Sequence, residues 1–169
     1  LFQSALRVAR RVANDTAHTL IAYVTDNALH AIYVDDSEDA PGSATAKFRA
    51  FNGSNEAGSL DVYLTDAADT ANDLSSATPV NAAVDGESFG AYGALGVGTY
   101  RLRITAAGDR NDVRLDVASI TLADQQIATL VVTATAGGVL VNGVLLNQGG
   151  TATAYDNASL RLRVAADTT

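Results

Sequence analysis

From about residue 18 onward, apolar and polar residues alternate along most of this chain, and that period of two is what most limits its fold. Leu60-Asp61-Val62-Tyr63-Leu64-Thr65-Asp66 sets Leu60, Val62 and Leu64 on one face. Tyr100-Arg101-Leu102-Arg103-Ile104-Thr105 points Tyr100, Leu102 and Ile104 inward and both arginines outward, and Leu160-Arg161-Leu162-Arg163-Val164 repeats the pattern. Half-buried antiparallel strands read this way. Residues 127–135 and 139–146 are more continuously apolar, as central strands or a buried hairpin would be, and Ala136-Gly137-Gly138 suits a tight turn between them. Asn52-Gly53-Ser54, Asp85-Gly86, Ala107-Gly108-Asp109 and Gly149-Gly150 supply further turns. A helical stripe fits only the first thirteen residues, through Phe2, Ala5, Leu6, Ala9 and Val12. The expected fold is all-β, two sheets packed as an Ig-like antiparallel β-sandwich.

The chain also repeats itself. Thr19-Leu20-Ile21 matches Thr129-Leu130-Val131 at an offset of 110 (129 − 19), which also pairs Val12-Ala13-Asn14 with Leu122-Ala123-Asp124 and Leu29 with Val139. With one residue of slack, Leu6, Val8 and Ala9 match Leu115, Val117 and Ala118; Ala46, Phe48 and Arg49 match Ala158, Leu160 and Arg161 at an offset of 112 (158 − 46). A period of about 110 residues is one Ig-sized sandwich. Residues 1–40 therefore read as the C-terminal part of a preceding repeat, a strand plus a hairpin at 18–35. Residues 44–148 read as a complete sandwich, and 149–169 as a linker and the first strand, 158–166, of a following repeat. Residues 35–42 and 148–157 are the expected links. A chain opening at Leu1 reads as a processed product, a fragment or an incompletely assigned chain.

Composition narrows the functions. With 11 Lys+Arg against 19 Asp+Glu, the net charge is −8 and the pI about 4.5, so phosphate backbones and anionic lipid are repelled. Cys, Met and Trp are absent, which removes disulfides, thiolate nucleophiles and thiol metal sites. No run approaches the roughly 18 apolar residues of a membrane helix. Arg7, Arg10 and Arg11 follow their apolar neighbours, the wrong order for a signal peptide, so an exported form would have lost its signal.

Three segments carry a family resemblance: Ser59-Leu60-Asp61-Val62-Tyr63-Leu64, Val97-Gly98-Thr99-Tyr100-Arg101-Leu102-Arg103-Ile104 and Ala128-Thr129-Leu130-Val131-Val132. They resemble the bacterial family called domain of unknown function 4397, across essentially all of 46–147, with Val97 standing where the family motif has Ala. The resemblance implies tandem extracellular Ig-like domains. It brings no catalytic residues with it, since its motifs are strand and turn positions.

Several clusters invite chemistry, and each has a plain structural reading beside it. Asp35, Asp36, Glu38 and Asp39 fit a Ca²⁺ wrapped by closely spaced carboxylates, or a solvated acidic linker. Asp66, Asp69 and Asp73 form a second loose acidic loop. His18 and His30 fit a cross-strand transition-metal pair in the 18–35 hairpin, or two exposed strand positions. Neither lies near a G-x-S-x-G nucleophile elbow, which the chain lacks. Gly93-Ala94-Leu95-Gly96-Val97-Gly98 precedes a strand rather than a helix, so turn geometry explains it better than phosphate binding. Asn14, Asn52 and Asn157 open formal N-glycosylation triplets. Lys47, the sole lysine, reads as a solvent-facing strand residue or as an isopeptide partner of Asn142 or Asn147.

The expected function is a non-enzymatic, secreted or cell-surface structural module: a subunit of a surface fibre, stalk or adhesin. Its expected partners are copies of itself, joined head to tail by β-strand addition, with no nucleic acid, no membrane insertion and no cofactor beyond a structural Ca²⁺. The alternative is a carbohydrate- or ligand-binding sandwich using Tyr33, Tyr63, Tyr92, Tyr100 and Tyr155 as platforms. A hydrolase ranks third.

Overall fold

The structure is a computed structural model in which residues 17–68, 74–136 and 139–157 are described. The helical stripe of the first thirteen residues, the strand at 158–166, Asn14, Asp69, Asp73 and the Gly137-Gly138 turn lie outside the described residues. Among the described residues there are twelve strands and no helix: β1 (His18–Thr25), β2 (Ala28–Asp35), β3 (Thr45–Asn52), β4 (Leu60–Asp66), β5 (Asn81–Val84), β6 (Ser88–Phe89), β7 (Gly93–Gly96), β8 (Gly98–Ala106), β9 (Asp109–Leu122), β10 (Ile127–Ala134), β11 (Val141–Asn147) and β12 (Ala152–Tyr155).

Two sheets face each other. One runs β12-β11-β10-β3, with β6 and β7 pairing successive halves of β3 on its far side; the other runs β5-β4-β8-β9. Leu60 and Val62 of β4, Leu102 and Ile104 of β8, and Leu115 and Ile120 of β9 pack against Phe48, Leu130, Val132 and Val141 from the first sheet. The alternation read in the sequence supplies these inward faces, so the chain is an all-β sandwich. At roughly 1.5–3 kcal/mol per fully buried large apolar side chain, this cluster dominates the stabilising terms.

Three features depart from the expected layout. Among the described strands pairing is antiparallel except between β3 and β10, which run parallel, with Ala50 opposite Leu130. Parallel neighbours need a long crossover, and here the entire second sheet lies between the two strands in sequence. The expected far linker contains β12, which pairs with β11 from Gly143↔Tyr155 to Leu146↔Ala152. The glycine-rich run at 93–98 holds a short strand, β7, on the edge of β3, rather than turn geometry alone.

Strands β1 and β2 form a separate two-stranded sheet. Asp26 and Asn27 at its tip have φ of 51° and 58°, the two left-handed residues of a tight two-residue hairpin loop with a type I′ twist. This hairpin lies on the outer face of the first sheet, where Ile21 and Tyr23 meet Phe51 and Val131. Strand β10 is therefore covered on both sides, Leu130 and Val132 facing the sandwich core and Val131 the hairpin. Double burial is the physical reason for its unbroken apolar run.

Candidate interaction surface

Polar residues in and around the motif segments are structural stitches. Ser59 Oγ donates to Asp85 Oδ1. Asp61, nearly buried, accepts from the Ala83 amide at 2.7 Å and the Gly108 amide at 3.0 Å. Asn52 donates to the Gly58 and Val84 carbonyls, and Asn81 accepts from the Ala50 amide while donating to the Ala91 carbonyl. Arg114 holds Asp112 through two bonds of 2.7 and 2.6 Å, which lower the carboxyl's pKa, and also donates to the Ala57 carbonyl. Each of these polar groups fixes a turn or a strand end.

An open groove of about 470 Å³ beside Asp61 and Tyr63 has the same character. Arg110 at its rim donates to the Ser75 and Ala77 carbonyls, and Asp61 is held as described above. Between the hairpin and the sheet lies a cavity of about 20 Å³, bordered by Thr19, Ile21, Asp36 and Tyr92, with room for about one water.

The hairpin's inner face is specified by an aromatic and carboxylate cluster. Tyr23 stacks on His30, with centroids 5.6 Å apart, and meets Phe51 edge-on at 5.2 Å. Its hydroxyl donates to Glu87 Oε1 at 2.9 Å, and His30 Nδ1 lies 2.9 Å from the same oxygen. At the tip, Thr25 Oγ1 donates to Glu56, the Asp26 amide donates to Glu56, and the Asn55 amide donates to Thr25. All but the Asn55–Thr25 bond are made to the Glu56 and Glu87 carboxylates at an open rim, so apolar contact holds the hairpin and the polar tip sets its register. Glycine at 53 is required here: a Cβ would stand 2.9 Å from the Val132 carbonyl oxygen and 3.2 Å from the Tyr23 ring.

These groups give the docking a pH window. Burial, with help from Glu87, pushes the Tyr23 phenol from 10.0 up to about 12. The Tyr23 hydrogen bond holds the Glu87 carboxyl below its usual 4.5, and the Glu56 carboxyl is lowered by backbone amide donors and the Thr25 hydroxyl. The tyrosine contribution is complete below pH 10 and is lost as pH rises through about 12. The glutamate contributions are present above pH 4.5 and are lost as pH falls through the lowered values. In a phenolate absorbance titration, subtracting the Tyr23→Phe curve from that of the unmutated chain should leave one phenol with a midpoint near 12. A midpoint at the ordinary 10.0 would show that the phenol is not held in this cluster.

The outer face of the hairpin is apolar and open. Leu20, Val24 and Leu29 are 51%, 55% and 53% exposed, with Ala22, Ala31 and Tyr33 between them on the same face. The inner face is packed against the first sheet. Ile21, Val34, Val131 and Val144 belong to one inner cluster (131 − 21 and 144 − 34 are both 110).

Three of the four linker carboxylates take separate partners, and Asp39 is held through its main-chain carbonyl. Asp35 Oδ1 lies 2.6 Å from His18 Nδ1, Asp36 accepts from Thr19 Oγ1 at 2.8 Å, and Glu38 pairs with Lys47, which also donates to the Asp39 carbonyl. No group of three or more His, Asp or Glu converges among the described residues. Asp66 accepts from the Ala68 amide. The expected histidine pair is corrected by the register: His18 faces Asp35 at the open end of the hairpin, whereas His30 faces Tyr23 nearer the tip. Asn142 accepts from the Asn157 amide, and Asn147 bonds Gln126 and Thr151. Asn52 is buried, and the Asn157 side chain donates to the Arg114 and Val141 carbonyls. Sequence reasoning missed Tyr23, Asn55, Glu56 and Glu87, and it passed over Asp26-Asn27, the turn pair that marks the hairpin's tip.

Among the described residues, no helix is long and apolar enough to cross a membrane. No family model matches the chain, and no curated protein matches it.

Proposed function

We propose that this chain is a non-enzymatic, secreted or cell-surface structural module, built from tandem Ig-like sandwiches and serving as a subunit of a fibre, stalk or adhesin. The observation that carries this reading is that positions 110 residues apart share one apolar cluster, Ile21 with Val131 and Val34 with Val144. On this reading the hairpin is the C-terminal hairpin of a preceding repeat. Its open face then corresponds to a sandwich interior: Leu20, Ala22 and Ala31 match Leu130, Val132 and Val141, all fully buried. An apolar face of this kind associates with another sheet or strand.

The motif resemblance points the same way, because its residues stitch turns. A carbohydrate-binding role finds less support in the tyrosines. Tyr63 is buried, Tyr100 donates to the Gly96 carbonyl, Tyr155 packs on the core and Tyr92 lies under the Arg49 guanidinium. Electron microscopy of the purified chain should reveal linear head-to-tail assemblies. Dispersed single particles at all concentrations would remove the self-assembly part of the reading.

A further inference from the structure

We infer that the open edge of β1 accepts residues 158–166 of a second copy, added parallel to β1 with Leu162 opposite Leu20. The inference rests on the self-assembly reading and names its donor, acceptor, direction and register.

The acceptor is a strand edge beside a groove. Among the described residues β1 pairs only with β2. A groove of about 240 Å³ follows four consecutive β1 residues, Thr19 to Ala22, and its floor is Val131, Val144 and Leu146. Four successive residues on one wall mark a backbone edge, which is where a strand adds.

The donor has the pattern of a strand with one apolar side. Leu160, Leu162 and Val164 alternate with Arg161 and Arg163. It leaves the sandwich at a tethered point, since Asn157 donates to the Arg114 and Val141 carbonyls.

Direction and register come from the sandwich itself. There β3 lies parallel to β10, with Phe48 opposite Ala128, Ala50 opposite Leu130 and Asn52 opposite Val132. Residues 158–166 repeat β3 at an offset of 112 (160 − 48), and β1 repeats β10 at 110 (130 − 20). Transferring the pairing sets Leu160 opposite His18, Leu162 opposite Leu20 and Val164 opposite Ala22. Opposed residues share a face, so all three apolar donor residues extend the exposed Leu20, Ala22 and Val24 face, while Arg161 and Arg163 turn to the groove side, beside Thr19 and Ile21, their stems lying along its apolar floor. Arg161 then stands beside Thr19, whose hydroxyl is bonded to the Asp36 carboxylate, placing a cation by an anion on an acidic chain. The equivalent place in the sandwich has the same arginine–threonine contact, Arg49 Nε donating to Thr129 Oγ1 at 3.2 Å. Donor and acceptor are different surfaces, so the contact is heterologous and propagates.

The chain contains no cysteine, which makes disulfide trapping unambiguous. Oxidised Ala22→Cys/Val164→Cys chains should give a ladder of disulfide-linked multimers. Ala22→Cys/Leu160→Cys, which would meet only in an antiparallel strand centred on the same residues, should not. Leu162→Asp in the full chain should shift light scattering to the monomer mass. A ladder from the Leu160 pair alone, or a disulfide confined to monomers, would overturn the proposal. So would the absence of both ladders while the unmutated chain still forms multimers, an outcome that leaves self-assembly standing and fits residues 1–16 covering the edge. An unmutated chain that stays monomeric in light scattering would overturn the assembly reading beneath it.

Discussion

Phe48→Ala should lower global stability by about 3–5 kcal/mol, the usual cost of emptying a buried aromatic site. Phe48 is 1% exposed at the centre of the first sheet, hydrogen-bonded through β3 to β10 on one side and β7 on the other. Its ring belongs to the cluster that joins both sheets, and strands paired on both edges have little freedom to close over the void. Native domains are stable by only about 5–15 kcal/mol, so the variant should sit near the edge of folding. Urea denaturation monitored by circular dichroism gives the number. A loss below about 1 kcal/mol would mean that the two sheets do not share one core at this position.

Tyr23→Ala should have an effect of similar size but confined in space. It removes the stack on His30, the edge contact to Phe51 and the bond to Glu87, again about 3–5 kcal/mol for a buried aromatic. Two strands alone are barely stable in water, so the hairpin should lose its order once it leaves the sheet. Amide exchange followed by mass spectrometry should show fast exchange over 18–35 and retained protection in β4 and β8. Equal acceleration throughout the sandwich would contradict a hairpin docked as a separate layer. Together the two variants distinguish the layers: Phe48 reports on the interior and Tyr23 on the cover.

Alternation made the longer strands legible, even where the polar face is also covered, as at Asp61 in β4 and at Arg103, expected to point outward, in β8. The expected strand at 99–105 is β8, the expected 60–66 is β4, and the hairpin at 18–35 is β1 with β2. Short strands escaped: β6 has two residues and β12 has four, too few to set up a period. The parallel β3–β10 pair escaped for another reason, since partners some 80 residues apart (129 − 49) leave no mark on each other's sequence. The surface was legible only in part. Continuous apolar residues at 127–134 signalled burial on both faces, but the cover could not be named from them. Tyr23, Glu56 and Glu87 come together across 31 to 64 residues, through side-chain fit that local pattern does not encode. The acidic linker shows the converse. Crowding in sequence suggested convergence, yet an extended chain sends neighbouring carboxylates in different directions, to His18, Thr19 and Lys47.

The direction of β3 has a mechanical consequence. Strands β3, β10 and β12 all point the same way, since β12 is antiparallel to β11 and β11 to β10. The polypeptide thus enters this sheet at one end, through Thr45, and leaves it at the opposite end, through Tyr155. A pull on the two sides of the sandwich draws β3 and β12 past each other along their length. The ladders between them are then loaded in shear, many hydrogen bonds sharing the force at once, rather than being peeled open singly from a turn. A sandwich threaded in this way resists stretching along its own axis.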